Sequence, residues 1–513
     1  MQTPASERVP WFHSGEVVLV ARVRGLTNAN QLHAAVRDVL PKAAIGLADE
    51  PDSMRSFIFS APPNSGENRA LAFVFQDLAS ASELRAVTDV VEQLHAELPN
   101  MQTDAVEVFG AMPHWHTWAH EMSSGGSPGS YPAPVEVPDS SRRWRYRPRP
   151  DVLRMEADAT AIPVAVLDTN IDLVAARDRA ANLANPYLVE TIELLQQHAV
   201  APDDVWQREW AEVLAHHPPP DPSEPRFYLP DHGLFIAGLI HDLAPKAPVT
   251  LVPALNESGV GNLSLLLAAL RQVLDRKDKG APQIVNLSLG FRPHPADLVA
   301  AWFGLDLPGT TATFTPAPIL QRDGRDRRWV AGNGPLVSRR MDLLQTGLAE
   351  LGRYLALNNC LVVAAAGNDS VAGELRLEPR LPARFETVLG VAATRLDGKP
   401  ASYSNVGDEQ RRGDHVATFG GERGQGFAPL DGVTGIYSGA FPGDGPNRTG
   451  WASWSGTSFA TAIVSGIAAN VWARNPSASA GEILAEVHEL ALNTGTYVSE
   501  LRTPSIALDG AWA

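Results

Sequence analysis

From residue 162 onward, short unbroken apolar runs alternate with segments of helical spacing, and this alternation strongly constrains the fold. The runs are IPVAVLD, APVTLVPAL, IVNLSLG, LVVAAAGN and TVLGVAAT. Unbroken apolar runs are typical of strands buried on both faces, and helices between them indicate an α/β fold with a doubly wound, mostly parallel sheet. Catalytic groups in such sheets lie at the carboxyl ends of the strands. Asp168, Asn286 and Asn368 lie at or near such ends, so we expect them at one edge of the sheet.

A second, smaller α+β domain is predicted over residues 1–122. Segments 16–23, 54–60, 70–75 and 105–109 have strand-like apolar content, and segments 30–40 and 82–98 have helical spacing. The resulting β-α-β-β-α-β order favours a ferredoxin-like sandwich.

The remaining boundaries follow from composition. Residues 123–155 are rich in Ser, Gly and Pro and then in Arg, which predicts a linker; residues 156–513 would form the large domain. We interpret the basic run at 142–149 as a solvated tether, with docking on an acidic surface as the alternative. Insertions are expected near 172–230 and 292–340, either walling a cleft or decorating the surface.

Composition excludes several classes of function. Asp and Glu number 58 against 42 Lys and Arg, a net charge of −16, which argues against nucleic acid as a partner. The single cysteine, Cys360, excludes internal disulfides, thiolate zinc sites and iron–sulfur clusters. No apolar run is long enough for a membrane helix, so no membrane partner is expected. The chain start lacks a signal-peptide pattern, which predicts a cytoplasmic protein, or a secreted one if a signal has been removed.

Four residues in the large domain together suggest nucleophilic catalysis. Ser458 follows Gly456-Thr457 at the start of a long apolar helix, where free N–H groups and the helix dipole stabilise negative charge. A serine hydroxyl needs a neighbouring base, for which His232 is the candidate. Asp168 would orient the imidazole, and Asn368 would donate its amide to an oxyanion beside the Ser458 N–H.

These blocks resemble the subtilisin-like serine peptidases, the subtilases. The resemblance covers roughly residues 160–490, in the Asp-His-Ser order of that family. It rests on the Asp168 block, His232-Gly233, NLSLG at 286–290, AAGN ending at Asn368, and Gly456-Thr457-Ser458. Asn170, Asp231, Leu234 and Ala462 depart from the usual family pattern, but the catalytic residues are all present.

The resemblance implies an endopeptidase acting on a peptide or protein substrate. It implies that Ser288, Leu289 and Gly290 pair with the substrate as an edge, and that Ala365, Ala366 and Gly367 line the other side of the pocket for the residue before the cut. Arg380 would lie near the base of that pocket and favour an acidic residue there, or else be an exposed loop arginine. An intracellular peptide-maturation or partner-activated protease with a permanent sensing domain is the alternative among enzymes, and a catalytically silent binding protein is the alternative from a different class.

The resemblance also bears on the first domain and on metals. In subtilases such a domain acts as a propeptide that assists folding and inhibits the enzyme; a permanent domain that senses an activating protein partner, or a packing module, are the alternatives. No cofactor is required. Structural calcium is known in the family, but no matching loop is found, and we expect packing rather than metal binding from the His-rich segment 114–120.

Overall fold

The computed structural model describes most of the chain. It covers residues 12–26, 28–40, 46–48, 53–79, 84–118, 131–137, 142–148, 161–183, 185–216, 229, 231–291, 334–370, 376–405, 415–424, 429–441 and 445–512. The chain forms two compact units. The first contains residues 1–116, 262–271 and 292–358, and the second contains 117–261, 272–291 and 359–513.

The helices lie in both units, and one short 3-10 helix is present at Leu98–Asn100. The α-helices are α1 Ala29–Val39, α2 Leu84–Glu97, α3 Leu173–Ala181, α4 Pro186–Gln197, α5 Asp204–His216, α6 His232–Leu243, α7 Leu263–Arg276, α8 Gly334–Leu357, α9 Thr457–Arg474 and α10 Ala480–Thr494. No helix among the described residues has the length and apolar content needed to cross a membrane.

The strands begin in the first unit and continue through the second. They are β1 Phe12–Val23, β2 Met54–Phe59, β3 Ala70–Asp77, β4 Val106–Trp118, β5 Ala133–Pro134, β6 Trp144–Pro148, β7 Val164–Thr169, β8 Val249–Leu255, β9 Val260–Asn262, β10 Gln283–Leu287, β11 Gly290–Phe291, β12 Cys360–Ala365, β13 Val388–Thr394, β14 His415–Phe419, β15 Glu422–Arg423, β16 Pro429–Asp431, β17 Val433–Ile436, β18 Trp451–Trp454, β19 Tyr497–Val498, β20 Thr503–Ile506 and β21 Leu508–Trp512.

The first unit contains an antiparallel sheet in the order β4-β1-β3-β2. Its elements follow one another as β-α-β-β-α-β, the order expected from the sequence. Helix α8 packs on this sheet: a Cβ on Gly347 would lie 2.5 Å from Cγ2 of Val20, so only glycine allows this close approach. Arg22 of β1 donates to Glu350 of α8 at 3.2 Å, which fixes the helix along the strand.

The second unit is built on an eight-stranded sheet in the order β19-β20-β14-β13-β12-β10-β7-β8. Its pairs are parallel except β19 with β20, as predicted for the large domain. Strand β7 is followed in sequence by β8 on one side and then by β10 on the other. The strand order therefore reverses beside β7, and a crevice at the carboxyl ends of the strands is expected there.

The predicted linker, 123–155, contains strands of the second unit. Ala133–Pro134 pairs with β18, and β6 pairs with β21 near the chain terminus. Backbone pairing with two distant strands cannot be read from local composition, which is why Ser, Gly, Pro and Arg content alone indicated a tether. Of the predicted insertions, 172–230 contains α3, α4 and α5, whereas residues 292–333 lie outside the described residues.

Candidate functional site

Asp168 and His232 meet at the carboxyl end of β7. His232 is the first residue of α6, and its Nδ1 lies 2.7 Å from Oδ1 of Asp168, with both side chains buried. The same oxygen accepts from the Thr169 N–H at 2.7 Å. A Cβ on Gly233 would lie 2.9 Å from Cδ1 of Leu251 and 3.1 Å from Cβ of Asp168. Glycine at 233 therefore lets the helix approach the strand closely enough for this contact.

Ser458 is the second residue of α9, which is apolar and buried on every side along almost its whole length. The hydroxyl thus stands at a helix N-terminus, where unpaired N–H groups favour negative charge. Its Oγ lies 3.3 Å from the carbonyl oxygen of Ser288. The ring of His232 packs against the ring of Phe459, with centroids 5.6 Å apart. The imidazole therefore lies beside the residue that follows Ser458.

Asn368 lies just beyond β12 and is anchored on the turn before Ser458. Its Oδ1 accepts from both the backbone N–H and the hydroxyl of Thr457, each at 2.9 Å. Since Oδ1 is engaged there, the donor on this side chain is the Nδ2 amide, which would lie 3.6 Å from a Cβ on Gly456. The Asn368 amide therefore lies near Gly456, two residues before Ser458 at the start of α9.

The residues predicted to bind substrate lie on two segments that approach Ser458. Ser288 directly follows β10, and its Oγ lies 3.0 Å from the Ser458 carbonyl oxygen; Leu289 is buried beside it, and Gly290 begins β11. On the other segment, Ala365 ends β12 and Ala366 and Gly367 follow. Gly367 has φ +108, a conformation that favours glycine, and its N–H donates to Oγ1 of Thr457 at 3.2 Å.

Two features of the site were not found from the sequence. Thr457 joins Asn368 to Gly367 through its hydroxyl, and Asp369 forms a buried pair with Arg380. The position of Thr457 in the Gly-Thr-Ser motif is the one sequence feature that could have indicated its role. The pair joins residues eleven positions apart on an irregular segment, so neither spacing nor periodicity indicates it.

The basic run at 142–149 is part of the second unit and bonds there to an acidic residue, as in the docking alternative to a solvated tether. Arg143 Nε donates to Oδ1 of Asp242 at 2.9 Å, and the Tyr146 N–H donates to Oδ2 at 3.0 Å. Burial raises the pKa of the Asp242 carboxyl above its usual value, and the neighbouring Arg143 acts in the opposite direction. The ion pair and the β6–β21 pairing together hold this stretch against the rest of the second unit.

The first unit contains a cluster of histidine rings around one glutamate. His13 stacks on His114 and on His116, with centroids 4.2 and 4.7 Å apart. Glu16 accepts from Nδ1 of His114 at 2.6 Å and pairs with Arg55. His13, Glu16 and His114 are close enough to hold a metal ion.

Several known proteins resemble this chain in sequence. The model of the subtilase family matches residues 159–504, more than half of the chain. Alkaline elastase YaB from Bacillus sp. (strain YaB) is 31% identical over 200 residues, which are 38% of this chain and 43% of that protein. A thermostable alkaline protease from Halalkalibacterium halodurans is 33% identical over 136 residues, 26% of this chain and 30% of the relative. The matches thus span less than half of the curated relatives.

Two solved protease structures match part of this chain. A lanthipeptide protease is 19% identical with a TM-score of 0.42, over 67% of this chain and 85% of that one. The prenylagaramide maturation protease PagA is 20% identical with a TM-score of 0.37, over 67% and 90%. Given the extent of the family match, this chain belongs to the subtilase family.

Proposed function

We propose that the protein is a serine endopeptidase with Ser458 as nucleophile. The observation that carries the proposal is the buried 2.7 Å contact between His232 Nδ1 and Asp168 Oδ1. An N–H at Nδ1 directed to the carboxylate leaves Nε2 as the basic nitrogen, which is the tautomer that a general base needs. The packing of this ring against Phe459 supports assigning Ser458 as the hydroxyl that it activates.

The reaction follows from these positions. Ser458 Oγ attacks the scissile carbonyl carbon while His232 Nε2 takes the hydroxyl proton, and Asp168 stabilises the imidazolium. The carbonyl oxygen becomes an oxyanion that accepts from Asn368 Nδ2 and the Ser458 N–H. His232 then gives its proton to the leaving amine, so the peptide bond breaks and an acyl-enzyme remains. Water, deprotonated by His232, hydrolyses that ester and restores the serine.

The protein is autoinhibited by the end of β4 in this proposal. Thr117 and Trp118 pair antiparallel with Phe291 and Gly290 in the second unit. Gly290 stands two residues after Ser288, whose carbonyl contacts the Ser458 hydroxyl. An extended substrate would need the same backbone groups, so it must displace this segment of the chain. The element order and the β4-β1-β3-β2 sheet support a ferredoxin-like assignment for the domain that β4 belongs to.

If the first domain is removed by self-cleavage, the cut is expected between residues 119 and 130. On one side of that stretch, β4 is paired as far as Trp118. On the other, Ala133–Pro134 pairs with Ser453 and Ala452 of β18, which leads into the turn before Ser458. The stretch lies outside the described residues, and the two flanking pairings support placing the cut within it.

The test is labelling by a small fluorophosphonate, read by intact mass over time. Purified full-length protein should gain one probe mass at Ser458, and Ser458→Ala should gain none. Ser465→Ala is the matched control, because Ser465 lies on the same helix and accepts from Asn286 Nδ2 at 3.0 Å. It should label like the wild type. Labelling of Ser458→Ala, or none of the wild type, would overturn the proposal.

The same mass spectra also show whether the polypeptide is cleaved. Loss of a fragment ending between residues 119 and 129 in wild type, with Ser458→Ala whole, identifies the first domain as a removable propeptide. If both proteins stay whole but the wild type labels, the domain is a permanent regulator and self-cleavage is rejected.

A further inference from the structure

Two walls of the second unit converge beside Ser458, and one arginine fills the space between them. The walls are Ser288–Gly290 and Ala366–Gly367. A Cβ on Gly290 would lie 3.3 Å from Cβ and Cδ of Arg380, and a Cβ on Gly367 would lie 3.1 Å from the same Cδ. The Arg380 N–H donates to the Ala366 carbonyl at 2.9 Å. The stem of Arg380 therefore occupies the gap from wall to wall.

The arginine is held in one position by a buried ion pair. Its Nε and Nη2 donate to Asp369 Oδ2 and Oδ1 at 2.5 and 2.6 Å, and the two side chains are only 9% and 6% exposed. Asn405 Nδ2 donates to the same carboxylate at 3.0 Å, and the Asp369 N–H donates to Asn405 Oδ1 at 3.1 Å. A bidentate, buried pair with added hydrogen bonds resists displacement, because separating it leaves a charge without compensation.

The ion pair with Asp369 changes the substrate preference that Arg380 would impose. An isolated guanidinium at this place would attract an acidic side chain, the expectation from the sequence. With Asp369 bound to it, the pair carries no net charge, so neither acidic nor basic side chains gain from entering. The filled gap also leaves little depth for a large ring.

We propose that Arg380, fixed by Asp369, is a specificity-determining residue that restricts the residue before the cut to small, uncharged side chains. The inference rests on the proposed role of Ser458, since a substrate held with its scissile carbonyl at Ser458 must direct that side chain between the two walls. Volume, rather than charge, is the selecting property. Removing the volume should therefore admit aromatic residues, whereas removing only the charges should not.

The experiment uses tripeptidyl phosphonates that differ only in the residue at phosphorus, alanine or phenylalanine. The full-length protein is labelled with each, and the ratio of the second-order rates is measured. This ratio does not depend on the fraction of sites covered by the β4 segment. Wild type should react about 100-fold faster with the alanine probe, since a pocket discriminates by roughly 10–200-fold per methylene.

Two double variants separate volume from charge, and neither leaves a buried charge unpaired. Arg380→Gly with Asp369→Ser removes the stem and should bring the alanine-to-phenylalanine ratio to about one or below. Arg380→Met with Asp369→Asn keeps most of the volume and should retain the alanine preference within about threefold. Arg384→Ala is the matched control, because Arg384 pairs instead with the half-exposed Glu378 and should leave the ratio unchanged.

The outcomes distinguish this inference from the proposed function. If all proteins react with the small fluorophosphonate but the ratio stays the same in the Gly/Ser variant, Arg380 does not determine specificity and only this inference fails. A wild type that prefers phenylalanine also overturns it. If no protein reacts with the small probe at all, the nucleophile assignment fails and the inference fails with it. Thermal midpoints establish that each variant is folded.

Discussion

At the scale of single residues, Asn368 has the most specific expected role. Because Thr457 donates to its Oδ1, the Nδ2 amide is the group expected to donate to the oxyanion, whose charge develops only in the transition state. We expect Asn368→Leu to lower kcat by about 10²–10³ with little change in KM, the loss found for such a donor in another member of this family. Steady-state kinetics on a peptide substrate would measure this, with the thermal midpoint as the control. A change confined to KM would contradict it.

The site residues differ in how far the sequence could reveal them. Asp168, Asn368 and Ser458 stand at strand ends or a helix start, where local pattern alone places a side chain at the edge of the sheet. Their partners are decided by tertiary contacts: Ser288 and Ser458 are 170 positions apart. The sequence led us to expect Arg380 near the base of the pocket, but it did not indicate the pairing of Arg380 with Asp369, which only the structure shows.

At the scale of elements, glycines decide how closely the helix carrying Ser458 can pack. A Cβ on Gly466 of α9 would lie 2.7 Å from Cβ of Leu243 on α6, so Gly466→Ala must push the helices apart. We expect a loss of about 1–3 kcal/mol in the free energy of unfolding, as for other overpacked cores. The matched variant is Gly481→Ala on α10, where a Cβ meets nothing within 4 Å and should stabilise by about 0.5–1 kcal/mol. Urea unfolding of both would show opposite shifts; equal shifts would reject this packing argument.

Periodicity predicted the elements of the first domain well but their ends less well. The last strand was expected over 105–109 and extends to Trp118. Pro113 lies inside it and lacks an N–H, and the pairing of β1 with β4 shifts register nearby, so the local pattern does not read as a strand. That extension is what brings Thr117 and Trp118 to β11, which only the structure could reveal.

At the scale of the whole molecule, acid should weaken the first unit through Glu16. Burial alone would raise the pKa of this carboxyl, but hydrogen bonds and charge from His114 and Arg55 outweigh it and lower the pKa far below the usual 4.5. Because the folded pKa is depressed, the stabilisation is fully present above about pH 4.5. It is lost as pH falls toward the folded pKa, at about 1.4 kcal/mol per pH unit.

Glu16→Gln should therefore cost about 3–5 kcal/mol at pH 7, as when one partner of a buried ion pair is removed. The difference from wild type should shrink as pH falls below 4.5, because protonation removes the same charge from the wild type. Hydrogen exchange of the β1 amides measures the local free energy of opening at each pH. The control is Asp89→Asn, which removes an exposed carboxylate on α2. It should change the free energy of opening by no more than about 0.5 kcal/mol, both at pH 7 and below pH 4.5. A difference between Glu16→Gln and wild type that stays constant from pH 7 to pH 3 would show that the Glu16 charge does not stabilise the first unit.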